Sequence, residues 1–129
     1  MRFFDPNDLI RPLGPHDRRV RADGQGAVIW LQGLHSEGVA IGFEAMELVE
    51  HPPGPTGPEM DLPRMTVTEG DRESSIPCLR GKINSVGGRI FRFRGTYYVQ
   101  VSDPSAEVTY SVGFLDFELR LAFAVDDLT

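Results

Sequence analysis

Between residues 108 and 125 apolar side chains recur at every second position, and the phase of that recurrence changes once. Val108, Tyr110, Val112 and Phe114 fall on even positions, whereas Leu115, Phe117, Leu119, Leu121, Phe123 and Val125 fall on odd ones. Period-two alternation marks a strand with one buried face, and a slip of one residue moves every later side chain to the other face. Glycine accommodates a bulge or sharp bend most easily, so the slip is expected to be a bulge at Gly113. A helical face of Phe114, Phe117, Leu121, Ala124 and Leu128 competes with this reading. The unbroken alternation, with Asp116, Glu118 and Arg120 between the apolar positions, favours strand. Fully extended, the segment would run ~60 Å, too far for one strand of a small domain. It is therefore expected to bend, with residues 115–125 meeting different neighbours and in part another subunit.

The same reading organises the rest of the chain. "RRVR" predicts a strand, Asp23 to Gly26 a turn, and "AVIWL" a second, apolar strand. Val39, Ile41 and Phe43 alternate in "GVAIGFEAMELVE"; over 43–50 strand is preferred to a helix that would align Phe43, Met46, Glu47 and Glu50. "RMTVT" is a short strand, "EGDRE" a turn, and "SSIPCLRGKI" an extended stretch in which Pro77 marks an edge or a bulge. "GGRIFRFRGTYYVQV" reads as a hairpin pivoting on Gly95, with Phe91 and Phe93 on one side, Arg92 and Arg94 on the other, and Tyr97, Val99 and Val101 resuming the apolar face. "SDPSAE" is a further turn. Fourteen glycines and ten prolines interrupt the chain too often for long helices, and no fixed-period repeat is present. The expected fold is all-β, a small antiparallel β-barrel or sandwich with a long proline-rich loop and extended termini.

A single β-domain over 1–129 would thus carry three irregular pieces: an N-terminal arm at 1–16, in which Asp5 to Asp8 opens one helical turn; a proline-rich loop at 51–64; and a C-terminal strand and tail at 115–129. Five prolines and two glycines in "HPPGPTGPEMDLP" remove donors and fix φ, which excludes regular structure there. A loop of that length in a compact domain is usually either functional or disordered. Extended arms bind by wrapping a partner or adding a strand to its sheet. The expected contact residues are Phe3 and Phe4 in the arm, and Pro52, Pro53, Pro55, Pro58, Met60 and Leu62 in the loop. Arg92, Arg94 and Tyr98 on the arginine-rich segment, and Leu115 and Phe117 after the phase change, complete the set.

Composition narrows the role. A chain of 129 residues buries enough surface to fold without disulfides or a structural metal. The net charge of −6 argues against a dedicated nucleic-acid binder and against anionic membranes. Within that acidic chain Arg89, Arg92, Arg94 and Tyr98 form a local basic, aromatic face. Such a face suits a nucleic-acid backbone, but its commoner use is as a solvated or subunit-facing outer surface. No run of ~18 apolar residues offers a membrane span, and "MRFFDPNDLI" lacks the apolar core of a secretory signal, so a cytoplasmic site of action, or exit from the cell by a route other than secretion, is expected. The lone Cys78 reads as a small buried hydrophobe in a strand. His16, His35 and His51 are expected in loops and do not share metal-ligand spacing. Neither a nucleophile elbow nor a glycine-rich phosphate cradle occurs. No catalytic residue, metal or cofactor is expected; the protein should work by contact.

"GAVIWL", the long loop, "RMTVT", "GRIFRFRGTYYVQVSDPSAE" and "VTYSVGF" follow one another in an order that resembles the head–tail joining (stopper) proteins of long-tailed bacteriophages. The resemblance implies a virion protein that forms a homo-oligomeric ring, hexameric or twelvefold, between connector or adaptor and tail proteins. It also implies assembly in the host cytoplasm and a channel past which DNA moves without sequence-specific binding. A stand-alone β-barrel module binding peptide, carbohydrate or nucleic acid is the alternative.

Overall fold

In the computed structural model, which describes residues 9–12, 18–21, 26–48, 62–86, 90–114 and 117–128, alternation sorts ten strands into inward and outward faces. They are β1 (Leu9–Pro12), β2 (Arg19–Arg21), β3 (Ala27–His35), β4 (Gly38–Leu48), β5 (Met65–Glu69), β6 (Arg72–Ile76), β7 (Arg80–Val86), β8 (Ile90–Gln100), β9 (Val108–Phe114) and β10 (Phe117–Phe123). A 3-10 turn, Val125–Leu128, follows. The strands form a six-stranded sheet of order β1-β3-β4-β8-β7, with β2 also on β3, and a four-stranded sheet of order β10-β9-β5-β6. Every pairing is antiparallel. The two sheets stack without closing into a barrel, so the fold is a sandwich.

Apolar positions of both sheets meet in one core. Ile29, Leu31, Val39, Ile41, Phe43, Phe91, Phe93 and Tyr97 come from the larger sheet, and Met65, Tyr110, Val112, Leu121 and Phe123 from the smaller. Phe93 lies between Phe43 and Phe114, with ring centroids 5.9 and 5.5 Å away, and so bridges the sheets. Tyr110 stacks on Phe123 at 5.1 Å. Each such ring contributes about 2–3 kcal/mol through burial alone.

The phase change at residues 113–115 is a hairpin, not a bulge in one long strand. Phe114 pairs with Phe117, Val112 with Leu119, Tyr110 with Leu121 and Val108 with Phe123. With only two residues between paired positions, even-numbered residues of β9 must oppose odd-numbered residues of β10, so burying one common face requires the inversion. Leu119, Leu121 and Phe123 are buried within their own chain, so these three side chains are not the part of the segment expected to meet another subunit. The β5–β6 hairpin has the same construction: Glu69 pairs with Arg72, and the turn holds Gly70 at a φ of 59°, which glycine adopts without strain.

The converse correction falls on Gly95. No turn occurs there, because β8 is one strand of 11 residues paired along its length with β4. Phe91, Phe93, Tyr97 and Val99 keep one parity through the glycine, as a single strand requires. Gly95 pairs with Gly81 of β7, and both spare room for larger neighbours. A Cβ on Gly95 would come within 2.5 Å of the Phe93 ring and 2.7 Å of the Cys78 sulfur.

The termini are less free than expected. Leu9–Pro12 of the N-terminal arm pairs with β3 opposite Gly33 to His35. At the other end the expected extended tail is a short turn whose Val125 and Leu128 pack on the core, with the Asp126 N–H donating to the Pro104 carbonyl. Residues 43–48 continue as strand, in agreement with the preferred reading. Pro77 lies just past the end of β6, where the chain passes from the smaller sheet to the larger. Cys78 lies in that crossing, half-buried, instead of in a strand. His35 is buried at the end of β3, edge-on to Tyr98, and is not a loop residue.

Replacing Gly95 by alanine is expected to destabilise the protein by ~1–3 kcal/mol, because Phe93 and Cys78 cannot both keep their places. Denaturant unfolding followed by Trp30 fluorescence measures this. A change near zero would mean that the strand has a turn-like freedom at Gly95.

Candidate interaction surface

Outward positions of the larger sheet gather its basic residues. One cross-strand row runs Arg21, Val28, Glu44, Arg94, Lys82, and the next runs Arg19, Trp30, Gly42, Thr96, Arg80. A third contains Met46, Arg92 and Asn84. Among the described residues the acid facing these cations on the same rows is Glu44, whose carboxylate lies 2.6 Å from Arg92 and 3.9 Å from Arg94. Both ion pairs are solvent-exposed, so each is worth under ~1 kcal/mol and mainly positions the guanidinium groups.

Between the cations of β2 and those of β8 lies an open trough of about 740 Å³. Trp30, Val28 and Met46 line it, with Arg21 on one side and Arg92 and Arg94 on the other. The indole of Trp30 lies across Gly42, where a Cβ would come within 2.6 Å of the ring. Trp30 is therefore nearly buried, while Met46 stays half exposed. Ile90, also exposed, opposes Leu48 beyond the Met46–Arg92 pair. A shallower depression of about 490 Å³ lies between Arg80, Lys82, Arg92 and Arg94 on the β7–β8 side. An apolar centre with a charged rim is the composition of a protein contact surface.

The expected contact residues divide. Arg92 and Arg94 lie on this face, and Tyr98 lies farther along the same side of β8, opposite Ala40. Leu62, exposed, lies just before β5 and is not part of the trough. Phe117 is placed by its backbone alone, opposite Phe114. Phe3, Phe4, Pro52, Pro53, Pro55, Pro58, Met60 and Leu115 fall outside the described residues, as do Arg89, His16, His51 and the turn expected at Asp5 to Asp8. Arg21, Trp30, Glu44, Met46, Arg80 and Lys82 were not among the expected residues. Their shared signal is that each occupies an outward position, but only the lateral order of β2, β3, β4, β8 and β7 brings them together.

A second, structural feature fixes the exit of the proline-rich loop. The Tyr97 hydroxyl donates to the Pro63 carbonyl at 2.6 Å, and Arg64 donates to the Ser75 hydroxyl at 2.6 Å and the Ser75 carbonyl at 3.1 Å. Burial, with the Cys78 thiol beside it, raises the Tyr97 hydroxyl far above the ordinary tyrosine value. Burial also raises Tyr110, whose hydroxyl has no hydrogen-bond partner among the described residues. The Cys78 thiol is likewise raised by burial and donates to the Arg80 carbonyl at 3.2 Å, which makes it a poor nucleophile.

Among the described residues no group of His, Cys, Asp and Glu side chains is arranged to hold a metal ion. Among the described residues no helix is long and apolar enough to cross a membrane. Comparison with known protein families, with curated proteins and with solved structures finds no match.

The two tyrosines should respond oppositely to loss of the hydroxyl. Tyr97→Phe strands the Pro63 carbonyl and is expected to cost ~1–2 kcal/mol, whereas Tyr110→Phe removes an unpaired buried group and should be neutral or stabilising. Equal losses in denaturant unfolding would contradict this. Both folded-state values are raised, so the stability they contribute is fully present below the unfolded tyrosine value of about 10 and falls as pH rises above it. Tyrosinate absorbance at Tyr97 and Tyr110 should therefore appear together with alkaline unfolding; ionisation of either one in the folded protein would be contrary.

Proposed function

We propose that the chain is a non-enzymatic assembly protein, most concretely a head–tail joining subunit in the neck of a long-tailed bacteriophage. The observation that carries the assembly role is the larger sheet's outer face: broad and open, with an apolar centre rimmed by arginine and lysine. Polar groups on it are spread over several strands, as contact with a macromolecular surface needs, and do not converge on a small enclosed volume. The neck assignment is supported by the order of the quoted segments, which occur here as β3, β5, β8 and β9 around the proline-rich loop. In that role the protein would sit in a ring between connector and tail, with an acidic net charge that lets DNA pass without capture.

The basic rim also favours a second reading, a stand-alone module for an anionic peptide or nucleic acid. Quantitative mass spectrometry of purified long-tailed virions that encode the chain separates the two. The neck reading expects the chain in every particle, in a fixed small-integer ratio to the connector. Its absence from virions, together with a persistent monomer in the presence of connector and tail rings, would overturn it.

A further inference from the structure

The molecule carries a second charged region, of the opposite sign. Where β8 ends and β9 begins, Asp103 and Glu107 lie in the connection, and the C-terminal turn bearing Asp126 and Asp127 is held against it through Pro104. Glu69 pairs with Val108 on one side and with Arg72 on the other at the same end of the smaller sheet, and Asp71 follows in the adjoining turn, so the surplus of negative charge rests on Asp103, Glu107, Asp126 and Asp127. The Asp103 carboxylate accepts from the Ser105 hydroxyl at 2.6 Å and the Ser105 N–H at 3.0 Å, which lowers its pKa and keeps it charged.

The two arginines at the centre of the basic face lie out of reach of this acidic end. Arg92 and Arg94 precede the end of β8 by roughly 20–25 Å at the rise of an extended strand, well beyond the ~8–10 Å over which charge acts in physiological salt. Two complementary surfaces that cannot meet within one molecule can meet between copies. We propose that the basic outer face of the larger sheet docks the acidic β8–β9 end of a second copy of this chain. The contact is heterologous, head to tail, and so leaves a pair of copies with one unused face on one and one unused end on the other. Trp30, Met46 and Ile90 supply its apolar centre, and Arg92, Arg94 and Lys82 the charged rim. A nucleic-acid occupant is disfavoured by the net charge of −6, since the body behind the face repels a polyanion.

The inference rests on the reading of the chain as an assembly subunit, and complementary variants test it. Arg92→Gln with Arg94→Gln neutralises the face and leaves the end intact; Glu107→Gln, Asp126→Asn and Asp127→Asn do the reverse. Analytical ultracentrifugation is expected to show the full-length wild-type chain self-associating and each variant weakened by about tenfold or more. Mixing the two variants should restore one contact only, giving a one-to-one complex that does not grow. That complex also shows both variants to be folded. A wild-type monomer, variants that associate like wild type, or a mixture that stays monomeric would overturn the proposal. So would duplex DNA binding that the arginine substitutions abolish while self-association persists. Virion composition is read separately: a chain present in virions whose assembly ignores these substitutions retains the neck reading and loses this one, and the opposite outcome does the reverse.

Discussion

The contact of Phe93 with Phe43 on one side and Phe114 on the other is the constraint from which much of the molecule follows. It joins the two sheets through rings that are wholly or nearly buried, and truncating such a ring typically costs about 3–5 kcal/mol. It also sets the outside. With Phe91, Phe93 and Tyr97 facing inward, the period of two leaves Arg92, Arg94 and Thr96 no place but the outer face. The core and the basic surface are two consequences of one alternation.

That alternation was legible in the sequence, but its parity was misread twice. At Gly95 the apolar positions keep their parity, which signals one continuous strand, yet the glycine drew attention as a turn. At Phe114 to Phe117 parity inverts, which a hairpin with two residues between its paired ends demands, yet neither Leu115 nor Asp116 is glycine, proline or asparagine. Glycine served close packing in the first case and was not needed to reveal the hairpin in the second. The all-β class, the strands at β3, β5 and β9, and the strand over residues 43–48 followed from local pattern alone.

The surface was less legible because it is non-local. Glu44 and Arg92 are separated by 48 residues and meet only through the β4–β8 pairing. Arg80 and Lys82 join them from a strand read merely as extended, and Arg21 joins from across the sheet. A sequence shows that such residues alternate with apolar ones but not which strands stand side by side. Net charge conceals the arrangement further, because the 19 acids spread along the chain outnumber its 13 lysines and arginines, and the cations gathered on one sheet vanish in the sum.

The segregation of charge between sheet face and sandwich end gives the account its functional content. An interface built this way weakens when its charges are screened, whereas one built on apolar burial does not. Sedimentation velocity of the wild-type chain across increasing salt, as the screening length falls from ~10 Å to ~3 Å, therefore bears most directly on it. Assemblies that dissociate progressively toward monomer as salt rises are the predicted result. Assemblies whose size is constant or increases with salt would contradict the account.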